Sequence, residues 1–243
     1  MFTKKELKSV VLSILVLAFI FGFDDGEAIF SASHWFANFT AMLIFVTIAF
    51  LVHILVQKRY AEEIDCKSEY KLWKIGKIGL KAKSKLPFTV PFGIFWAIIL
   101  VFMSAGKFFF TALGYVEIEE KLARLGRKMQ IVSQYEIAKG ALLGSLANVA
   151  LIIIFSVINK MSLGVDFTNF ININLWIVLF NMIPIPPLEG GKIFFGSRKL
   201  YVFGVGFIVS CFLLQNLGLI GSLGLGAILG LIILAIYYYK WGT

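Results

Sequence analysis

The chain has 243 residues, 59% of them apolar and only 15% charged, with 25 phenylalanines and a formal net charge of +9. Soluble chains average about 45–50% apolar and about 25% charged residues, and one soluble core of this size cannot hide the excess. A soluble globular domain and a disordered chain are both excluded. Two cysteines, Cys66 and Cys211, are too few for a disulfide framework or a four-cysteine zinc site.

A bilayer core of about 30 Å takes about 20 apolar residues per helix. The first apolar run, 10–23, follows Lys4, Lys5 and Lys8 and lacks a small-residue cleavage site after it, so it reads as a retained anchor. The second covers 38–56 and the third 86–113, where Lys107 reads as a side chain that snorkels to the interface. The fourth is 141–158. The fifth, 173–183, is short and stops at a proline cluster. The last block, 200–239, has 40 residues without a formal charge, enough for two helices with a turn near Gln215–Gly218 or at Gly221-Ser222. The expectation is an all-α integral membrane protein, one membrane domain over 1–243, with about six transmembrane helices.

The charges sort by loop. Asp24, Asp25 and Glu27 follow the first run with no base, while 58–85 carries nine Lys/Arg against four acids. The positive-inside rule then places the N-terminus and the 58–85 loop in the cytoplasm, and hence the chain in the cytoplasmic membrane. The positive charge is explained by topology and anionic headgroups of the lipid bilayer, so no nucleic-acid partner is expected. Within that loop Lys71, Lys74, Lys77, Lys81 and Lys85 recur at three to four residues, which suits a basic interfacial helix. Gly76 and Gly79 weaken the helix, and short strands fit equally well. Tyr115–Glu119 alternates like a strand, and 120–129 reads as a short helix. The tail glycines, from Gly204 to Gly230, suit either intrachain helix packing or a homo-oligomer interface. Tyr237-Tyr238-Tyr239-Lys240-Trp241 reads as an aromatic belt at a membrane exit.

An ionisable or strongly polar residue inside a membrane is a functional candidate. His53 and Asn148 lie within the second and fourth runs, and Glu189 follows Pro184-Ile185-Pro186-Pro187-Leu188. Three prolines in four residues end a helix. Non-helical backbone at membrane depth is tolerated only where it is buried in protein or lines a cavity. The segment Pro184–Gly191 therefore reads as a broken helix presenting a carboxylate to a polar cavity.

Asn181-Met182-Ile183-Pro184-Ile185-Pro186-Pro187-Leu188-Glu189-Gly190-Gly191 resembles the N-x-x-P-x-P-P-L-D-G-G signature of the site-2 protease family, the intramembrane zinc metalloproteases. The resemblance makes Glu189 the counterpart of that family's third zinc ligand, an Asp. Gly144-Ser145-Leu146-Ala147-Asn148 resembles the family's G-P-x-x-N, with Ser145 in place of Pro. The match runs from the second span to about Phe195. It implies that His53 and Glu189 approach one another, and it suggests short β-hairpins in the 58–85 and 115–139 loops.

The family's HExxH places two His at i and i+4 on one helix face to hold zinc, with the Glu as general base. Counting back from Arg59-Tyr60, which matches a basic–aromatic tail in related members, sets the window on Ala49–His53. Ala49 and Phe50 then replace the first His and the catalytic Glu, and only His53 remains. The alternative window, His53-Ile54-Leu55-Val56-Gln57, also lacks the Glu and the second His. A catalytic zinc takes three protein ligands, whereas the motif positions offer two candidates, His53 and Glu189. No bound metal cofactor is expected, and without a base the general-base contribution of about 10²–10⁴-fold is lost. No intact catalytic residue is left, and the chain reads as a pseudoprotease that binds a transmembrane client or partner protein. The alternatives are a small proton-linked transporter or channel built on His53 and Glu189, and an unorthodox active intramembrane peptidase. The absence of an internal repeat weighs against the transporter.

Overall fold

A computed structural model describes residues 2–27, 29–77, 85–121, 131–161, 164–214 and 218–241. The architecture is helical with two small sheets. Helix α1 (Lys4–Phe21) opens on a capping box in which Thr3 and Glu6 satisfy each other's backbone N–H groups. Helix α2 (Ala32–Glu63) follows, then strands β1 (Cys66–Leu72), β2 (Ile75–Lys77) and β3 (Lys85–Val90), helix α3 (Phe92–Met103) and strand β4 (Gly114–Glu120). The second half is α4 (Gln134–Lys160), α5 (Thr168–Asn181), α6 (Glu189–Gly196), α7 (Arg198–Leu214) and α8 (Gly218–Trp241).

Among the described residues, three helical segments are long and apolar enough to cross a membrane: Ala32–Glu63, Gln134–Lys160 and Leu223–Lys240. The expected third span is corrected. A strand covers Lys85–Val90, α3 has only 12 residues, and the chain from Ser104 to Leu113 is irregular. Pro87 and Pro91 keep a helix from starting earlier, and Ala105 and Gly106 at φ 50° and 79° end it. The fifth run becomes the 14-residue α5. The expected turn at Gln215–Gly218 falls where α7 ends and α8 begins, and residues 215–217 lie outside the described ones.

The loops contain strands, but not as two local hairpins. β1 pairs antiparallel with β4, from Cys66↔Glu120 to Leu72↔Gly114, across the whole of α3, while β2 pairs with β3. The strand expected at Tyr115–Glu119 is β4. The expected helix over 120–129 is replaced at Glu120 by the end of β4, and the rest of it lies almost wholly outside the described residues. In the tail, Gly206 abuts Ile233, Gly226 abuts Cys211, and Gly230 abuts Phe203 and Phe207. The small residues thus let α7 and α8 pack on each other within one chain.

The largest core cluster joins α1, α2, α3 and α5 with β1 and β4 through Leu17, Val46, Ile54, Val101, Val116 and Phe170. A second joins α4, α5, α6 and α7 around Val149, Val178 and Ile193. Buried polar side chains sit where the two halves of the chain meet.

Candidate functional site

The site is built on α2. His53, three turns before its end, is buried, and its two ring nitrogens face different elements. Nδ1 is 2.7 Å from Asn148 Oδ1 on α4, and Nε2 is 2.8 Å from Glu189 Oε1 at the start of α6. The approach of His53 and Glu189 implied by the resemblance is therefore present.

The amide orientations form a chain of inference. Asn174 Nδ2 donates to the Phe170 carbonyl at 2.8 Å, so its Oδ1 accepts from Asn148 Nδ2, also at 2.8 Å. Asn148 Nδ2 donates to the Ala49 carbonyl as well, at 3.3 Å. Asn148 Oδ1 is then an acceptor, and His53 Nδ1 donates to it. Nε2 is left to face Glu189, with one proton between them. This orientation of His53, Nδ1–H held by a carbonyl and Nε2 directed inward, is the one a metal-ligating histidine adopts.

Gln57, one turn beyond His53, is a further member of the site that the sequence pattern alone does not mark. Its Nε2 donates to Glu189 Oε1 and lies 3.1 Å from His53 Nε2. Its place at i+4 from His53 is the signal the sequence carries, and an amide there has no acid–base or ligand signature of its own. Gly144 makes the room: a Cβ on it would lie 2.2 Å from Gln57 Nε2. Asn181, at the end of α5, completes the ring with Nδ2 3.4 Å from His53 Nε2.

The break at Pro184 positions the carboxylate. α5 stops at Asn181, residues 182–188 turn, and α6 begins with Glu189. The turn folds back on α6 so tightly that a Cβ on Gly190 would meet the Met182 carbonyl at 2.4 Å. The expected polar cavity is small. Beside Glu189 lies a void of about 10 Å³ lined by Phe50, His53, Ile54, Tyr70, Thr111 and Asn181, among others. That is room for about one water. Glu189 Oε2 is buried with no hydrogen-bond partner among the described residues.

Other side chains of these elements take no part in the ring. Ala49 offers the cluster its carbonyl, and its methyl is buried in the hydrophobic core. The Phe50 ring meets the Tyr70 ring edge-on at 5.3 Å and lines the void. The polar face of α2 thus runs from His53 to Gln57. Arg59 is exposed and pairs with Glu63. His34 is remote from the site: its Nδ1 is 3.2 Å from Asp25 Oδ2, and this hydrogen bond holds the Asp25 carboxyl below its ordinary range. Cys66 and Cys211 are buried in other clusters. On α6, Lys192 donates to the Val116 carbonyl and lies over the Tyr115 ring, and burial pulls its ammonium down to about 8.

The donor set does not fit a catalytic zinc as it stands. His53 Nε2 and Glu189 Oε1 are ligand atoms, but the third group converging on them presents an N–H donor. Among the described residues no group of three His, Cys, Asp or Glu could hold a metal.

Fold and site together define a helical chain with three membrane-type helices among the described residues and a buried polar cluster of His53, Gln57, Asn148, Asn181 and Glu189. The chain is similar, at 28% identity over 198 residues, to a Methanocaldococcus jannaschii protein named "Putative zinc metalloprotease". The match covers 79% of this chain and 84% of that relative. No family model matches the chain, and no solved structure matches it.

Proposed function

We propose that this chain is a non-proteolytic homologue of the site-2 protease family. It sits in the cytoplasmic membrane with its N-terminus and the 58–85 loop on the cytoplasmic side, and it binds a transmembrane segment of a client or partner protein. One observation carries the reading. In either HExxH window the position of the general base is hydrocarbon, Phe50 or Ile54, and both side chains line the void beside Glu189. Neither can take a proton from water, so a metal entering the site would lack its base. The relative's name supports the family side of the proposal, and the long apolar helices support membrane insertion.

The test is cleavage. Untagged protein in detergent, supplied with zinc, is incubated with a labelled membrane-spanning peptide, and association and product are measured separately. Association without product is expected. Cleavage that disappears in His53→Ala or Glu189→Ala overturns the reading in favour of an active peptidase. The transporter alternative is less well supported, because a 10 Å³ void beside Glu189 is no pathway.

A further inference from the structure

We propose that Gln57 is the residue that closes the metal position in this chain, and that the position is a latent zinc site one substitution away from completion. The proposal rests on the non-proteolytic reading and explains how the site stays ordered under it. His53 Nε2, Gln57 Nε2 and Glu189 Oε1 all lie within 3.1 Å of one another. Three side chains from two helices thus converge on one point, and one of the three is the wrong chemistry. An amide faces a carboxylate with its NH₂ group, because two oxygens at that distance would repel. An N–H donor cannot ligate a cation. Gln57 therefore fills the position where a ligand would stand and satisfies Glu189 Oε1 without a metal.

The rest of a zinc site is in place. Residues at i and i+4 share one helix face, so an imidazole at position 57 would stand beside His53. Two imidazoles and a carboxylate are a recognised zinc donor set. The Nδ1–H of His53 is held by Asn148, which leaves Nε2 for the metal. Glu189 Oε2, buried and without a partner among the described residues, is a spare acceptor. The void of about 10 Å³ beside it has room for one further small ligand. Gly144, with no Cβ, leaves space for a planar group where the amide now lies.

The experiment compares wild type, Gln57→His and Ala49→His, untagged, loaded with zinc and desalted. Zinc per chain is measured by elemental analysis, and melting is measured with and without zinc. Gln57→His is expected to retain roughly one zinc per chain, and wild type less than about a tenth of that. The melting temperature of Gln57→His rises with zinc, and that of wild type does not. Gln57→Glu has nearly the same shape as the native side chain and keeps the test open if the histidine variant fails to fold. It is expected to gain a zinc-dependent rise in melting temperature.

Folded Gln57→His or Gln57→Glu that ignores zinc overturns this proposal and leaves the non-proteolytic reading intact. Zinc retained by Ala49→His instead does the same, because it assigns the face to the other window. Stoichiometric zinc in wild type, lost in both His53→Ala and Glu189→Ala, overturns this proposal. The cleavage assay then decides the non-proteolytic reading separately.

Discussion

Two buried polar clusters hang on α2 only five residues apart, and they differ in completeness. At Lys58, every strong partner is filled. Its Nζ is 2.7 Å from Glu6 Oε1 of α1 and 3.0 Å from the Ser68 carbonyl of β1, and it lies 4.7 Å over the Phe2 ring. Glu6 also accepts the Tyr70 and Thr3 backbone N–H groups at 2.9 and 3.3 Å. At His53, the network is just as deeply buried but leaves Glu189 Oε2 unpartnered among the described residues, beside a void. Buried polar groups in native proteins are nearly always satisfied, and an exception calls for an explanation. The comparison separates a cluster that clamps α1, α2 and β1 from one that leaves a carboxylate oxygen facing a void.

The sharpest way to break this contrast is to remove one charge from the satisfied cluster. Lys58→Ala leaves the Glu6 carboxylate buried and unpaired, and a loss of about 3–5 kcal/mol is expected. Replacing both charges, Glu6→Leu with Lys58→Met, is expected to recover most of it. Chemical denaturation in detergent measures both. A loss below about 1 kcal/mol for Lys58→Ala alone would return this pair to the class of solvated surface bridges.

The second cluster is tested from behind. Gly144→Ala puts a methyl where Gln57 Nε2 now sits, and overpacking of this kind costs about 1–3 kcal/mol. In a Gln57→Ala background the same change has nothing to displace and is expected to cost markedly less. Equal losses in the two backgrounds would show that Gly144 serves helix packing alone.

Lys192 gives a pH signature next to that cluster. Its folded value of about 8 lies below the ordinary lysine value of 10.5. Between about pH 8 and 10 the unfolded chain therefore binds more protons than the folded one, and stability rises with pH. Above pH 10 the opposite sign enters. Burial raises the Tyr70 hydroxyl above the ordinary tyrosine range, so the unfolded chain loses that proton first and stability falls. The rise between pH 8 and 10 is expected to be about 1–2 kcal/mol and to vanish in Lys192→Met, as read from denaturation at stepped pH.

The two clusters also differ in how far sequence revealed them. His53, Asn148, Asn181 and Glu189 were legible because each is a polar residue inside an apolar run or beside a proline break, where polarity is costly. Gln57 was not, because its meaning comes from Glu189 on α6 and from the room that Gly144 leaves on α4. The Glu6–Lys58 clamp was invisible for a related reason. Lys58 stands at the end of an apolar run with Arg59 beside it, which is where interfacial cations belong, and Glu6 among three lysines reads as a solvated helix start. Long-range pairing sets their burial. The same holds for the strands: alternation located β4, but nothing local says that β4 pairs with β1 across α3 rather than with a neighbour. The third span failed because apolar content outweighed Pro87, Pro91 and Gly106 in its reading.

Tyr70 allows the finest test, because it touches both clusters. Its backbone N–H serves Glu6, its hydroxyl is 2.8 Å from Ser13 Oγ, and its ring lines the void and packs on Phe50. Tyr70→Phe keeps the ring and the backbone bond and removes only the hydroxyl, so about 1 kcal/mol is expected to be lost. If the clusters are separate devices, that loss adds to the loss in Gln57→Ala within about 0.5 kcal/mol. A larger coupling would mean that the clamp on α1 reports to the carboxylate across the Tyr70 ring. Glu6, Lys58, Tyr70, His53 and Glu189 would then be one network, and the contrast between a finished cluster and an open one would dissolve. Additivity is the expected result, since the ring presents only hydrocarbon to Phe50 and its hydroxyl is already held by Ser13.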